Sequence, residues 1–216
     1  LEAHVDAAGG RLRGIRYGVS WHSDSQIPNI RTNPSEGLLL SSNFRKGYSC
    51  LEKFGLIFEC WCYHTQIREV INLAYTFPNT QLVLDHFGIP LGIGPFKGKS
   101  YEVFRQWSRD LKELATCENV VVKLGGINMP ENGFNWHLGS RPPSSDQLMM
   151  ATKQYFETTI EYFGVDRCMF ESTFPVDKIS CSYGILWNSF NLLTQNYSMD
   201  EKLKFFHDTA TTVYKL

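Results

Sequence analysis

The sequence predicts an α/β protein built on a parallel sheet. Short apolar segments at residues 11–17, 56–63, 81–85, 120–124 and 168–172 alternate with longer stretches of helical periodicity. The links between them are too long for hairpins, and parallel neighbours need such crossovers. Each segment also ends in or carries a charged residue, which places chemistry at the strand ends where α/β proteins bind ligands.

Residues 1–8 have helical composition and stop at Gly9-Gly10. The first strand, residues 11–17, leads into a polar stretch with two prolines, residues 21–37, long enough to be functional. Phe44, Tyr48 and Leu51 then recur at helical spacing behind Asn43 as a cap, and Gly55 closes that helix. After the second strand, Ile67, Val70, Ile71 and Ala74 mark one face of a helix that Pro78 ends. The third strand, residues 81–85, gives way to a Gly/Pro-rich loop and a helix at 101–115 striped with Val103, Phe104, Trp107, Leu111 and Leu114.

The fourth strand is followed by a long loop, residues 125–144, and by a helix that Ser145 can cap and Gly164 closes. Beyond the fifth strand, helices are expected at 183–193 and 199–207, the second opened by a Ser198 to Glu201 capping box, with a last turn at 210–216. Periodicity fits two architectures. One is a complete five-stranded doubly wound sheet; the other is five-eighths of a (β/α)8 barrel.

A chain of 216 residues, 43% hydrophobic and 20% charged, is long enough for a single domain with one continuous core. Lysine and arginine number 21 against 22 acidic residues, so no basic surface points to nucleic acid or to an anionic membrane. No apolar run approaches the roughly 20 residues of a spanning helix, and no signal peptide opens the chain, so a cytoplasmic protein is expected. Six cysteines without a C-x-x-C pair read as reduced thiols. The sequence opens at Leu1 inside a helical segment, which suggests a fragment.

Alternation along a strand sends neighbouring side chains to opposite faces. In a barrel the outer face is covered by apolar helices, so charged residues belong inside. That rule directs Arg16, Glu59 with Trp61 and Tyr63, Lys123, and Glu171 with Thr173 inward. Asp85 and His86 are adjacent and diverge on a regular strand, and His86 is the inward choice. The pocket so lined suits a small anionic or polyhydroxylated substrate. Cys60, Cys62 and His64 share the other strand face, which would suit a soft metal, but that face reads as helix packing. His64 falls at the strand-to-helix rim as a substrate contact.

In order and spacing, Arg13-Gly14-Ile15-Arg16, Leu84-Asp85-His86-Phe87-Gly88, residues 119–126, residues 163–177 and residues 206–216 resemble the amidohydrolase-related group of TIM-barrel hydrolases, which includes lactonases. The resemblance implies that residues 1–216 are the C-terminal portion of one (β/α)8 barrel domain, its first three strands lying upstream. It implies hydrolysis of a lactone or related C–O or C–N bond by a water activated by a divalent metal such as zinc, or by protein groups alone. His86 matches the histidine of the family's DHxG motif, as catalytic residue and metal ligand. Arg16 suits a substrate carboxylate, Glu59, Tyr63 and His64 fall on the next strand end, and Lys123 holds substrate oxyanions.

Two departures matter. The histidine pair of the family's first strand has no counterpart here. Ser172-Thr173-Phe174-Pro175 stands where many members read Ser-Asp-Trp-Pro, so Thr173 replaces an aspartate that serves as base or metal ligand. Glu171, one pleat deeper, is a stand-in. The expected function is hydrolysis of a small anionic lactone. The alternative is a non-catalytic small-molecule-binding pseudoenzyme of the same fold.

Overall fold

The computed structural model describes residues 1–30 and 32–216. Five parallel strands, β1 (Gly14–Gly18), β2 (Ile57–Trp61), β3 (Leu82–Leu84), β4 (Val120–Leu124) and β5 (Cys168–Phe170), pair in the order β1-β2-β3-β4-β5. The order never reverses. A doubly wound sheet needs a reversal at its switch point, whereas an unbroken run is an arc of a (β/α) barrel. The helices are α1 (Glu2–Ala8), α2 (Ser42–Tyr48), α3 (Cys50–Lys53), α4 (Ile67–Thr76), α5 (Ser100–Leu114), α6 (Ser145–Phe163), α7 (Tyr183–Leu193), α8 (Met199–Leu203) and α9 (Thr209–Tyr214). A π-helical turn, Lys204–Asp208, joins the last two.

The two sheet faces bury different sets. Phe58, Cys60, Leu84, Val122 and Phe170 point outward into the main core, where they meet Ile67 and Leu73 of α4, Trp107 of α5 and Phe156 of α6. Each such side chain contributes about 1.5–3 kcal/mol by leaving water. On the inner face Ile57, Val83, Val121 and Met169 form a separate layer against Ala210, Val213 and Tyr214 of α9. Cys60 and Cys62 are fully buried in the main core, which bears out helix packing for that face. All six cysteines are free.

Three local expectations are corrected. Ser41, not Asn43, caps α2 through a bond from the Phe44 amide, and Ser144, not Ser145, caps α6. In each pair the serine stands outside the helix in extended backbone, the conformation a capping side chain needs. Strands β3 and β5 end earlier than expected, at Leu84 and Phe170, because the following residues turn over the rim. His86 at φ 55° and Phe87 at φ 59° occupy the left-handed region within that turn. Buried Trp107 secures it, donating from Nε1 to the Phe87 carbonyl at 2.7 Å.

Candidate active site

Register sets the site's depth. Arg16 lies level with Glu59, which lies level with Val83, so Arg16 and Glu59 share one layer and Asp85 stands two residues above it. Lys123 enters from β4, level with Met169 of β5 and one pleat below Glu171.

There the side chains interlock. Arg16 donates from Nε to Glu59 Oε2 at 2.7 Å and from Nη2 to Asp85 Oδ1 at 3.1 Å. Lys123 Nζ donates to Glu59 Oε1 at 2.9 Å and lies 3.6 Å from Asp85 Oδ1 and 4.0 Å from Glu171 Oε2. His86 Nδ1 lies 2.5 Å from Glu171 Oε1, close enough for an ion pair, although the ring N–H does not point along the contact. Trp61 meets the His86 ring edge-on at 5.3 Å. Gly126 leaves the imidazole its space: a Cβ there would sit 2.5 Å from His86 Nδ1 and 3.0 Å from Thr173 Oγ1.

The electrostatics follow from this packing. Burial alone would raise the Glu59 carboxyl, but the Lys123 ammonium, hydrogen bonds from Tyr214 and Lys123, and the Arg16 guanidinium outweigh it and bring the pKa down to about 2. Asp85 is completely buried, and desolvation pushes it up to about 6 despite the neighbouring His86, Lys123 and Arg16. Burial works against the His86 imidazolium, yet Glu171 beside it raises the pKa above the ordinary histidine value. Burial likewise works against the Glu171 carboxylate, which His86, Lys123 and Arg16 hold below its ordinary range. The result is a charged pair, Glu171 with His86, flanked by two cations.

The fold thus brings Arg16, Glu59, Lys123, His86 and Glu171 together, with Thr173 beside them. It corrects the placement of Asp85, which joins the inward set. The two residues need not diverge, because the chain has left strand geometry after Leu84. His64 is also relocated: it is fully buried beneath the rim rather than on it, with Nδ1 accepting from the Leu91 amide at 3.2 Å and its pKa lowered to about 4 by burial. Tyr63 is buried too, its hydroxyl donating to the Pro28 carbonyl.

Two contributors escaped the sequence reading. Tyr214, at the end of α9, donates its hydroxyl to Glu59 and sets its ring 5.5 Å from the Lys123 ammonium. Asp177 is completely buried near His86 and Glu171, where burial lifts its pKa to about 7.

A cavity of about 600 Å³ opens above the network, lined by Arg16, Trp61, Tyr63, Met129, Glu131 and Val176 among others. A larger hollow of about 680 Å³ lies against the other side of β1, between Tyr17, Phe44, Tyr48 and Leu51. It is mostly apolar and has no share in this chemistry.

For a metal, the donor set falls short. No three His, Cys, Asp or Glu side chains converge in metal-holding geometry among the described residues. Glu59, Asp85 and Glu171 already face Arg16, Lys123 or His86. These residues do not by themselves fit a metal.

A barrel-order parallel sheet with cations, carboxylates and an imidazole at its C-terminal rim is the frame of a (β/α)-barrel active site. The chain belongs to the amidohydrolase family, which it matches over residues 1–216. It is 33% identical over 221 residues to an uncharacterised protein of Sinorhizobium fredii, covering 100% of this chain and 64% of that protein. It is 26% identical over 175 residues to L-fucono-1,5-lactonase of Burkholderia multivorans, covering 81% of this chain and 53% of the lactonase. It therefore spans less than two thirds of either relative. Crystal structures of an amidohydrolase from Burkholderia multivorans, with HEPES and with zinc bound, superpose with TM-scores of 0.81 and 0.80 at 24% and 23% identity. Each superposition covers 100% of this chain and 69% of that one, and shows the shared fold.

Proposed function

We propose that residues 1–216 are the C-terminal portion of one barrel domain, and that the whole protein is a cytoplasmic hydrolase opening a small anionic lactone or cyclic ester by water attack. The observation that carries this reading is the Arg16, Glu59, Lys123, Asp85, Glu171 and His86 network at the ends of the parallel strands. The lactonase relative supports the substrate class. Six unpaired thiols accord with a reducing compartment. The barrel reading draws on β1 and β5, each paired on one side only among the described residues, with Ile15 and Tyr17 of β1 exposed.

In this mechanism Arg16 and Lys123 attract the substrate's anionic groups to the cavity. The His86 imidazolium, kept charged by Glu171, polarises the carbonyl and stabilises the oxyanion that forms on it. Glu59 and Asp85 hold the two cations in place, and Tyr214 orients Glu59 from below. Trp61 and Tyr63 provide the aromatic wall of the cavity, against which a sugar ring packs. His64 supports the rim through the Leu91 amide. A metal such as the zinc found with the Burkholderia amidohydrolase would need ligands beyond the described residues.

The test is a panel of sugar-acid 1,5-lactones, L-fucono-1,5-lactone included, offered to the full-length protein with and without added divalent metals. Release of the hydroxy acid is expected. No turnover under any of these conditions would overturn the reading.

One observation favours a second reading, a binding protein that has lost its chemistry: Thr173, where many members carry aspartate, leaves Oγ1 buried and unpaired. On that reading Thr173→Asp creates activity in an inactive full-length protein.

A further inference from the structure

The family pattern places a carboxylate, as base or metal ligand, where this chain has Thr173. A threonine hydroxyl cannot take a proton from water near pH 7. A different carboxylate, Asp177, lies near the same His86 and Glu171. The chain turns back on itself after Thr173: the Val176 amide donates to the Thr173 carbonyl at 2.8 Å, the Asp177 amide donates to it at 3.3 Å, and Val176–Ile179 forms a 3₁₀ turn. That turn carries Asp177 into the interior, where its side chain is completely buried. Val176, beside it, lines the cavity above the network.

Asp177 has no structural employment there. Neither carboxylate oxygen has a hydrogen bond of good geometry among the described residues, the Asn128 side chain being its only polar neighbour close enough to approach one. Burying an unpaired carboxylate costs several kcal/mol, and a structural acid would be bonded or paired. Its surroundings are polar and only partly spent, the His86–Glu171 ion pair aside. Asn128 Oδ1, Thr173 Oγ1, His86 Nδ1 and Glu171 Oε1 are also buried without a well-aligned hydrogen bond. The charged groups facing Asp177 are His86, which attracts the anion, and Glu171 and Glu131, which repel it, with the Asn128 amide and the Cys181 thiol completing its surroundings. Buried polar groups without a well-aligned hydrogen bond, Asp177, Asn128 and Thr173, beside the His86–Glu171 pair, are the arrangement of a site that bonds water or substrate rather than itself.

We propose that Asp177 is the general base of this chain, taking over from a neighbouring turn the role that the family pattern assigns to the position of Thr173. The assignment rests on the lactone-hydrolase reading above. In the step it implies, an Asp177 oxygen takes one proton from water while the water oxygen forms a bond to the lactone carbonyl carbon. The carbonyl π electrons move onto its oxygen, beside the His86 imidazolium. The tetrahedral adduct then expels the ring oxygen, which recovers the proton from Asp177 and leaves as the alcohol. The product is the hydroxy acid, which ionises in water, and Asp177 is regenerated as the carboxylate.

The experiment compares Asp177→Asn and Thr173→Ala in the full-length protein, with L-fucono-1,5-lactone and related sugar-acid lactones as probes. Asp177→Asn is expected to lower kcat by about 100-fold or more, within the usual contribution of general base catalysis, with KM changed by less than about threefold. Thr173→Ala is expected to lower kcat by less than about tenfold. If the wild type turns over and Asp177→Asn keeps most of its kcat, the assignment is overturned while the hydrolase reading stands.

If the wild type is inactive on every lactone, the hydrolase reading fails, and thermal unfolding then decides whether the carboxylate is spare or structural. A spare buried charge predicts that Asp177→Asn melts about 3 °C or more above wild type at pH 8, with the gain shrinking at pH 5, where the acid is protonated. A lower melting temperature at both pH values would make Asp177 structural and overturn the assignment.

Discussion

Glu59→Gln probes the centre of the network with a magnitude the structure supplies. The Glu59 side chain is 14% exposed and receives bonds from Arg16, Lys123 and Tyr214. Its pKa of about 2, against an ordinary 4.5, is a carboxylate depressed by folding. Such a group adds stability that is fully present above the unfolded value and lost as pH falls through the folded one. The drop from 4.5 to about 2 corresponds to about 3 kcal/mol at pH 7, falling to about 1 kcal/mol at pH 3. Glutamine keeps the shape and removes the charge, so Glu59→Gln is expected to cost most of that at neutral pH and much less in acid. For a domain of this size the neutral loss corresponds to a melting point lower by about 6–12 °C. Urea unfolding at pH 7 and pH 3 is the assay. A loss below about 1 kcal/mol at pH 7, or an equal loss at both pH values, would refute the claim that Glu59 anchors both cations.

Gly126→Ala places a methyl 2.5 Å from His86 Nδ1 at a backbone φ of +72°, and is expected to destabilise by at least about 1–3 kcal/mol and to remove turnover; a normal melting curve would show the His86 turn to be more yielding than drawn. Trp107→Phe leaves the buried Phe87 carbonyl without its donor and is expected to cost about 1–3 kcal/mol in urea unfolding, with unchanged stability counting against Trp107 as the support of that turn. Arg16→Lys in the full-length protein loses the two-pronged hold on Glu59 and Asp85, and a KM raised about tenfold with kcat little changed is the expected result; equal losses in kcat and kcat/KM would place Arg16 in the chemical step. The 216-residue chain alone, with β1 and β5 each paired on one side only among the described residues, is expected to self-associate in sedimentation velocity, and a monodisperse monomer would favour a self-sufficient five-stranded fold.

Where one physical signal dominated, the fold was legible to the residue. The Val120–Leu124 strand and the Tyr183–Leu193 helix were readable end to end, and so was the Ser198 to Glu201 capping box. The inward direction of Arg16, Glu59, Lys123 and Glu171 followed from refusing to bury charge against helices. Asp85 was misdirected because alternation holds only while the chain is a strand. Nothing local announces that His86 and Phe87 adopt left-handed backbone, a conformation uncommon for any residue but glycine.

Asp177 was hidden for a related reason. Its nearness to His86 arises from a turn after the strand, and an isolated Val-Asp-Lys looks like any exposed loop. Tyr214 reaches Glu59 only because α9 folds back across the inner face, a tertiary event with no signature in residues 210–216. The strand order that separates barrel arc from doubly wound sheet is likewise a property of the assembled sheet.

The central claim is that the strand-end network binds the reacting molecule, and a crystal structure of the full-length protein with a sugar-acid product such as L-fuconate tests it most directly. The product carboxylate is expected against Arg16 or Lys123, with the rest of the molecule in the cavity of about 600 Å³ beside Trp61. Density for the product in the hollow beside Tyr17 and Phe44 instead, with Arg16 and Lys123 untouched, would contradict it.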